Sequence, residues 1–414
     1  MIAKCKLWII GSGIVGLCVA HELVRRQVPV GIVSAHWGEE RASYGNAGHI
    51  AVEQVETLAD PRMLKSLPGR LFSRGGPAAF PIRDLFTWLP FGLKYIRRST
   101  PSQFSRNSVA LETLMNGALG AWQQLALNLG DSALLKTNGH YVAYESKRTA
   151  ARGSEHWQNA NLGMVSAEPL DINTLRLIEG SLHATLHGGV RFVGSGQVQS
   201  PPLILDRLES ALQSQGVEFR TAEVKNITKD ADTFKLLLRD SSAIDASAVV
   251  IAAGARSHEL LKPFNLKIPL IAERGYHLEG PVAGSWDIDG PVVFEDRHVV
   301  VSRFNDRLRA TSFVEFAHHR SPPDLRKWQR LNRHLEELGI PMGGPRIPWM
   351  GARPTLPDYL PALGQTRHVP GLWTAFGHQH LGLTLAPITA RYLAQMICGE
   401  KTMIDLSPFS VDRF

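Results

Sequence analysis

The chain has 414 residues, 44% of them hydrophobic and 20% charged, the composition of an ordinary globular protein with room for two lobes. Its formal charge of +7 comes from scattered Lys and Arg, with no stripe that would indicate a nucleic-acid groove. Three cysteines, Cys5, Cys18 and Cys398, have no CxxC or Cys/His spacing, so neither a disulfide framework nor a metal site is expected, and a reducing, cytoplasmic setting is the default.

Lys4 and Lys6 precede the apolar stretch Leu7 to Ala20 in the manner of a signal peptide, but Gly11, Gly13 and Gly16 interrupt it. No run reaches the ~18 uninterrupted apolar residues of a spanning helix. Leu7 to Ile10 reads as a strand and Ile14 to Gln27 as a helix, so the glycines form a GxGxxG turn between them, the layout that binds a dinucleotide. Gly11 permits the tight turn, Gly13 lets backbone approach a pyrophosphate and Gly16 allows close helix–strand packing, with Ile14 and Val15 opening the helix. Val28 to Val33 is the next parallel strand. Its end carries Ser34 where an acidic ribose partner is usual, so the turn by itself does not choose between NAD and FAD.

Residues 66 to 81 are rich in Gly and Pro and read as a crossover out of the first lobe. Trp88, Phe91, Tyr95, Arg97 and Arg98 form an aromatic stretch running into a basic pair. A core-facing helix is expected, with an anionic membrane surface as the alternative. Ser102 to Leu129 is helical and Tyr141 to Tyr144 a strand. A helix starts at Pro201-Pro202, a strand follows at Val217 to Arg220, and Ala248 to Ile251 is a buried strand ending in the small residues Ala253-Gly254. Alternating segments from Ile268 to Glu315, with Asn305-Asp306 at a hairpin, predict an antiparallel sheet. Residues 322 to 337 are helix-like. Pro345 to Pro361, with five prolines, reads as an ordered loop, and an apolar helix with Pro387 in its first turn follows Gly377 to Gly382.

Together the fingerprint, Ser43-Tyr44-Gly45-Asn46-Ala47-Gly48, Val250 to Gly254, Gly351 to Asp358 and Gly377-His378-Gln379-His380-Leu381-Gly382 resemble the FAD-dependent D-amino acid oxidase/dehydrogenase superfamily. Within it the chain looks most like bacterial D-amino acid dehydrogenases, and Glu273-Arg274-Gly275-Tyr276-His277 looks like the branch acting on D-hydroxyproline. The resemblance implies an α/β chain with an α+β second lobe, a Rossmann-type FAD-binding domain interleaved with an antiparallel-sheet substrate domain. The FAD-binding segments would be 1–80, 181–262 and 345–414, and the substrate-binding segments 81–180 and 263–344.

By that resemblance, Ser43, Asn46, Ala47 and Gly48 lie near the flavin and pyrophosphate. Ala253, Gly254 and Gly377 bring backbone close to it, and the helix opening at Gly382, Leu383 and Thr384 points its positive end at the flavin. His378 adds a hydrogen bond there, or else His380. Arg353 would hold the substrate carboxylate, since a planar guanidinium suits bidentate capture. Tyr276, set on the opposite strand face from Arg274 and Leu278, would donate its phenol to the same carboxylate. The expected reaction is hydride transfer from Cα of a D-amino acid to flavin N5, giving an imine, with cis-4-hydroxy-D-proline or D-proline as best substrate. Electrons would pass to a quinone or an electron-transfer partner rather than oxygen, with peripheral contact at the cytoplasmic face of the inner membrane. Alternatives are oxidation of glycine, sarcosine or a similar secondary amine, a nicotinamide dehydrogenase, and a noncatalytic flavin-binding subunit of an electron-transfer complex.

Overall fold

The computed structural model describes residues 6–414; Lys4 and Cys5 lie outside the described residues. Leu7–Ile10 is buried along its whole length and sits inside a six-stranded sheet. Val30–Ser34 and then Glu218–Thr221 pair in parallel on one side of it, Ala248–Ile251 and Leu372–Phe376 in parallel on the other, and Ala362–Gln365 closes the edge antiparallel. Continuous Val/Ile runs suit strands covered on both faces. The Ile14–Arg25, Pro201–Ser214 and Gly382–Ile397 helices cover one face, joining Leu7, Ile9 and Ile32 in one core. A three-stranded meander, Val224–Asp230, Thr233–Leu238 and Ala243–Ala246, covers the other with Phe234 and Leu236.

The second lobe is built on a nine-stranded mixed sheet. Ile347–Thr355 is its edge, followed inward by Ile271–Pro281, Arg307–Ala317 and Val299–Phe304. Asn305, at φ 55°, makes the expected hairpin turn. The Leu325–Leu338 helix packs Leu331 and Leu335 beneath this sheet.

The structure corrects several sequence expectations. Residues 345–361 contain the Ile347–Thr355 strand and are not a continuous loop; as the edge of its sheet, this strand accommodates Pro348 and Pro354. Gly188–Val193, assigned to a FAD-binding segment, pairs with His140–Tyr144 in the large sheet, as Ile347–Thr355 pairs with Ile271–Pro281. Residues 102–129 form two helices, Pro101–Met115 and Ala118–Asn128, which share the core of the nucleotide lobe. Between them Gly117 leaves room for Ile388, whose Cδ1 would lie 2.9 Å from any Cβ there. The 85–98 helix faces the core only through Phe91.

Pro387 lies in the second turn of its helix, not the first. It has no N–H for the Leu383 carbonyl, and Trp122 Nε1 donates to that oxygen instead at 3.0 Å. No helix among the described residues is long and apolar enough to cross a membrane.

Candidate functional site

The C-terminal ends of the parallel strands open onto a cleft of about 990 Å³ that continues between the two sheets. Any Cβ on Gly11 would lie 2.3 Å from the Ala252 carbonyl oxygen, and one on Gly16 would lie 2.1 Å from that of Gly11. These two glycines therefore serve packing. A Cβ on Gly13 would meet only Ser43 Oγ at 3.5 Å, and one on Gly254 would meet nothing within 4 Å. Both positions line the cleft, so each leaves a hollow that a bound group can fill. Ile14 and Val15 line the same wall, and the Ile14 N–H donates to Ser43 Oγ at 3.0 Å, tying the helix start to the 43–48 loop.

That loop is held by its carbonyls. Arg309, buried and paired with Glu279, donates Nη1 to the Tyr44 and Asn46 oxygens at 3.1 and 2.6 Å. The Gly45 oxygen accepts from His277 Nδ1 at 3.0 Å, and the Ala47 oxygen from Ser302 Oγ at 2.7 Å. Four successive carbonyls thus turn toward the large sheet, while Ser43, Asn46 and Ala47 remain along the cleft wall. Asn46 uses its side chain on the Gly48 N–H, and Gly48, at φ 76°, makes room for Phe304 rather than touching the cleft. Ser34 lies at the strand end as expected, but its Oγ already donates to the His36 carbonyl at 2.9 Å and contacts Ser12 Oγ at 3.1 Å. An acidic group nearby on the cleft wall is Glu40, held by His36 Nδ1.

Gly382 and Leu383 bring the N-terminus of a sixteen-residue helix to the cleft, where its unpaired N–H groups favour negative charge. Thr384 is turned away, its Oγ1 accepting the Ala51 N–H. Gly377, at φ 82°, makes the turn and packs on Leu356. His378 lines the cleft, yet its Nε2 is spent on Thr389 Oγ1 at 3.1 Å, and burial holds the ring down to about 3. His380 bonds Gln54 through Nε2 at 2.7 Å, leaving a buried Nδ1 without a partner beside Arg353.

Arg353, about one quarter exposed, projects from the edge strand into the cleft. Its Nη1 lies 3.4 Å from Glu273 Oε1, and the other carboxylate oxygen accepts from Thr355 Oγ1 and the Tyr359 phenol at 3.0 and 3.2 Å. Gly275 lies under the guanidinium: a Cβ there would sit 2.3 Å from Nη2. Glu273 thus orients Arg353 while leaving donors open to the cleft. Trp349, stacked on His277 at 4.9 Å, forms the adjoining wall.

Tyr276 borders the cleft, but its phenol does not join this group. Residues two apart on a strand share a face, so Tyr276 lies with Arg274 and Leu278 on the side away from Arg353. Its phenol donates to Glu315 Oε2 at 2.5 Å and accepts the Asp324 N–H at 3.1 Å. Gly275 and His277 line the cleft instead, with Glu273 buried behind Arg353. The sequence reading missed Glu273 and Trp349. Strict alternation counted from a correctly placed strand would have found Glu273, whereas nothing local marks Trp349.

A second buried group borders the cleft through His49. His49 Nε2 lies 3.1 Å from His140 Nδ1, which also meets Ser195 Oγ at 2.9 Å, and Glu53 Oε1 lies 3.9 Å from the Nε2 of each ring. The ligand atoms of His49, Glu53 and His140 fall within 4.8 Å of one another, against the expectation of no metal-ligating cluster. The two rings lie 4.2 Å apart, tilted at 54° to one another. Burial pushes Glu53 up to about 8 and His49 down to about 4, so the group is uncharged at neutral pH.

The hollows at Gly13 and Gly254, the carbonyl-clamped loop and the helix N-terminus fit an elongated dinucleotide with its redox ring toward Arg353. A family model for FAD-dependent oxidoreductases, DAO, matches residues 6–396. A D-amino-acid oxidase of Bradyrhizobium diazoefficiens is 31% identical, covering 98% of both chains, and a D-amino acid dehydrogenase of Paramagnetospirillum magneticum is 27% identical, covering 99% of both. The fold is that of glycine oxidase from Geobacillus kaustophilus, with a TM-score of 0.74 at 21% identity over 99% of each chain. The chain belongs to the DAO family of FAD-dependent oxidoreductases, and FAD is the dinucleotide its cleft is built to hold.

Proposed function

We propose that the chain oxidises a D-amino acid at Cα, with cis-4-hydroxy-D-proline or D-proline as substrate and the corresponding pyrroline-2-carboxylate as product. The observation that carries this reading is Arg353, a guanidinium oriented by Glu273 with donors left open to the cleft. The names of the D-amino acid oxidase and dehydrogenase relatives support the substrate class. FAD, when bound, supplies the two-electron acceptor.

The chain's own residues do the rest. Arg353 fixes the carboxylate and with it the position of the Cα–H bond. Burial holds His277 and His378 to about 3 and His380 to about 4, so the rings around the substrate are neutral at physiological pH. A neutral, desolvated wall favours the uncharged amine, whose lone pair would become the C=N bond as hydride leaves Cα; the resulting iminium would release its N–H proton to solvent to give the pyrroline, so no side-chain base is required. Electrons leave to a quinone or an electron-transfer partner, a reading supported by the relatives named dehydrogenases.

The experiment is an anaerobic flavin-reduction screen of D-proline, cis-4-hydroxy-D-proline, D-alanine, glycine and sarcosine, with oxygen uptake measured in parallel. Fast bleaching by the cyclic D-amino acids with slow oxygen uptake is expected. Bleaching by glycine and sarcosine alone would overturn the substrate, and rapid oxygen uptake would overturn the acceptor.

A further inference from the structure

The Leu85–Arg98 helix and the turn before it expose Ile82, Phe86, Leu89, Leu93 and Ile96, at 87, 92, 43, 55 and 54% of full accessibility. Their spacing of four, three, four and three residues places all five on one face. The stripe runs about 21 Å along the helix axis. It forms an exposed ridge, and its flank carries exposed Lys94 and Arg97 with no acidic residue anywhere in the helix, while Arg83 beside it is taken up by Asp84 and Glu315. The nearest carboxylate in sequence, Asp84, is buried against Ser321 and the His318 N–H. Phe91 and Tyr95 turn the other way: Phe91 stacks on Phe316, and Tyr95 packs on Tyr359, whose phenol donates to Glu273.

We propose that this ridge is a docking surface for an anionic lipid bilayer, with the five apolar side chains entering the acyl boundary and the basic side chains meeting lipid phosphates. A fluid interface can receive an isolated ridge lacking a fixed complementary groove, and the one-signed charge beside it selects negatively charged headgroups. The helix's inner face is packed on the residues that orient Arg353, so docking presents the substrate wall of the cleft next to the bilayer. The inference holds whichever amino acid is oxidised, because its readout is lipid binding rather than turnover.

The test is co-sedimentation of the FAD-loaded full chain with vesicles of phosphatidylglycerol and phosphatidylcholine, against phosphatidylcholine alone. Salt-sensitive binding to the mixed vesicles is expected. Phe86→Glu/Leu93→Glu should weaken it about tenfold or more, and Lys94→Glu/Arg97→Glu should remove its preference for phosphatidylglycerol. These side chains are exposed, and an unchanged flavin spectrum and unchanged turnover with an artificial acceptor verify that each variant is folded. Absence of binding to the mixed vesicles, or binding by Phe86→Glu/Leu93→Glu equal to that of the parent, overturns the proposal. So does a dimer in sedimentation velocity that Phe86→Glu disperses, which would assign the ridge to a second copy.

Discussion

Two arginine–glutamate pairs lie on opposite faces of the Ile271–Pro281 strand. On one face Arg274 and Glu315 are fully buried, and Glu315 is also met by Lys327 at 2.7 Å and by the Tyr276 phenol. On the other, Glu273 holds Arg353 by a single 3.4 Å contact at the wall of the cleft. The residue types are the same and the hydrogen-bonding is not. In the first pair the carboxylate is engaged by three partners and the guanidinium also bonds the Ser321 and Pro322 carbonyls; in the second the arginine keeps unspent donors. A buried pair whose terminal guanidinium nitrogens are all spent on protein oxygens, with only Arg274 Nε left over, holds structure together, whereas an arginine with donors facing a cleft is ready for a ligand.

The largest separation of the two should come from Glu315→Gln, which leaves Arg274 and Lys327 buried without their shared counter-charge. A loss of about 3–5 kcal/mol in denaturant unfolding is expected, with the KM of whatever remains folded unchanged. Arg353→Ala should do the reverse: FAD retained, stability near that of the parent, and KM for the amino acid raised about 10³-fold, since a bidentate carboxylate contact is worth about 1.5–3 kcal/mol per bond. Near-normal KM would show that the carboxylate is held elsewhere.

Next in size is a pH effect from the His49–Glu53–His140 group. Glu53 titrates near 8 in the folded chain, above its unfolded value. Its contribution is therefore fully present below the ordinary carboxylate range and is lost as pH rises toward 8, by a few kcal/mol at about 1.4 kcal/mol per pH unit. Glu53→Gln stays neutral throughout, so its stability should fall less than the parent's between pH 5 and 8; parallel curves would refute the burial of a neutral carboxyl. The smallest effect is assigned to Tyr276→Phe, which loses the bond to Glu315 and the one from the Asp324 N–H. About 1–2 kcal/mol of stability should go, without a change in KM, and a raised KM would return Tyr276 to the substrate site.

What the sequence made legible followed from how local each signal is. The Gly11 to Gly16 turn could be read because strand, turn and helix are contiguous and each glycine has its own steric reason. Arg353 could be named from its motif, but its strand was hidden by prolines that only an edge position accommodates. Tyr276 shares a strand face with Arg274 and Leu278, so its phenol turns to Glu315 rather than to Arg353. The ridge on the 85–98 helix was masked by aromatic residues that proved to be its inner side. Glu273 and the carbonyl clamp of Arg309 depend on pairings between segments far apart in the chain, which no window along the sequence displays.

The Trp122 indole that replaces the missing amide of Pro387 comes from 265 positions earlier in the chain. The helix that brings its N-terminus to the cleft therefore gains that bond only when the Ala118–Asn128 helix has docked against it. Its first turns are completed by assembly, so the charge presented to the cleft depends on a tertiary contact that either half of the chain lacks when separated from the other.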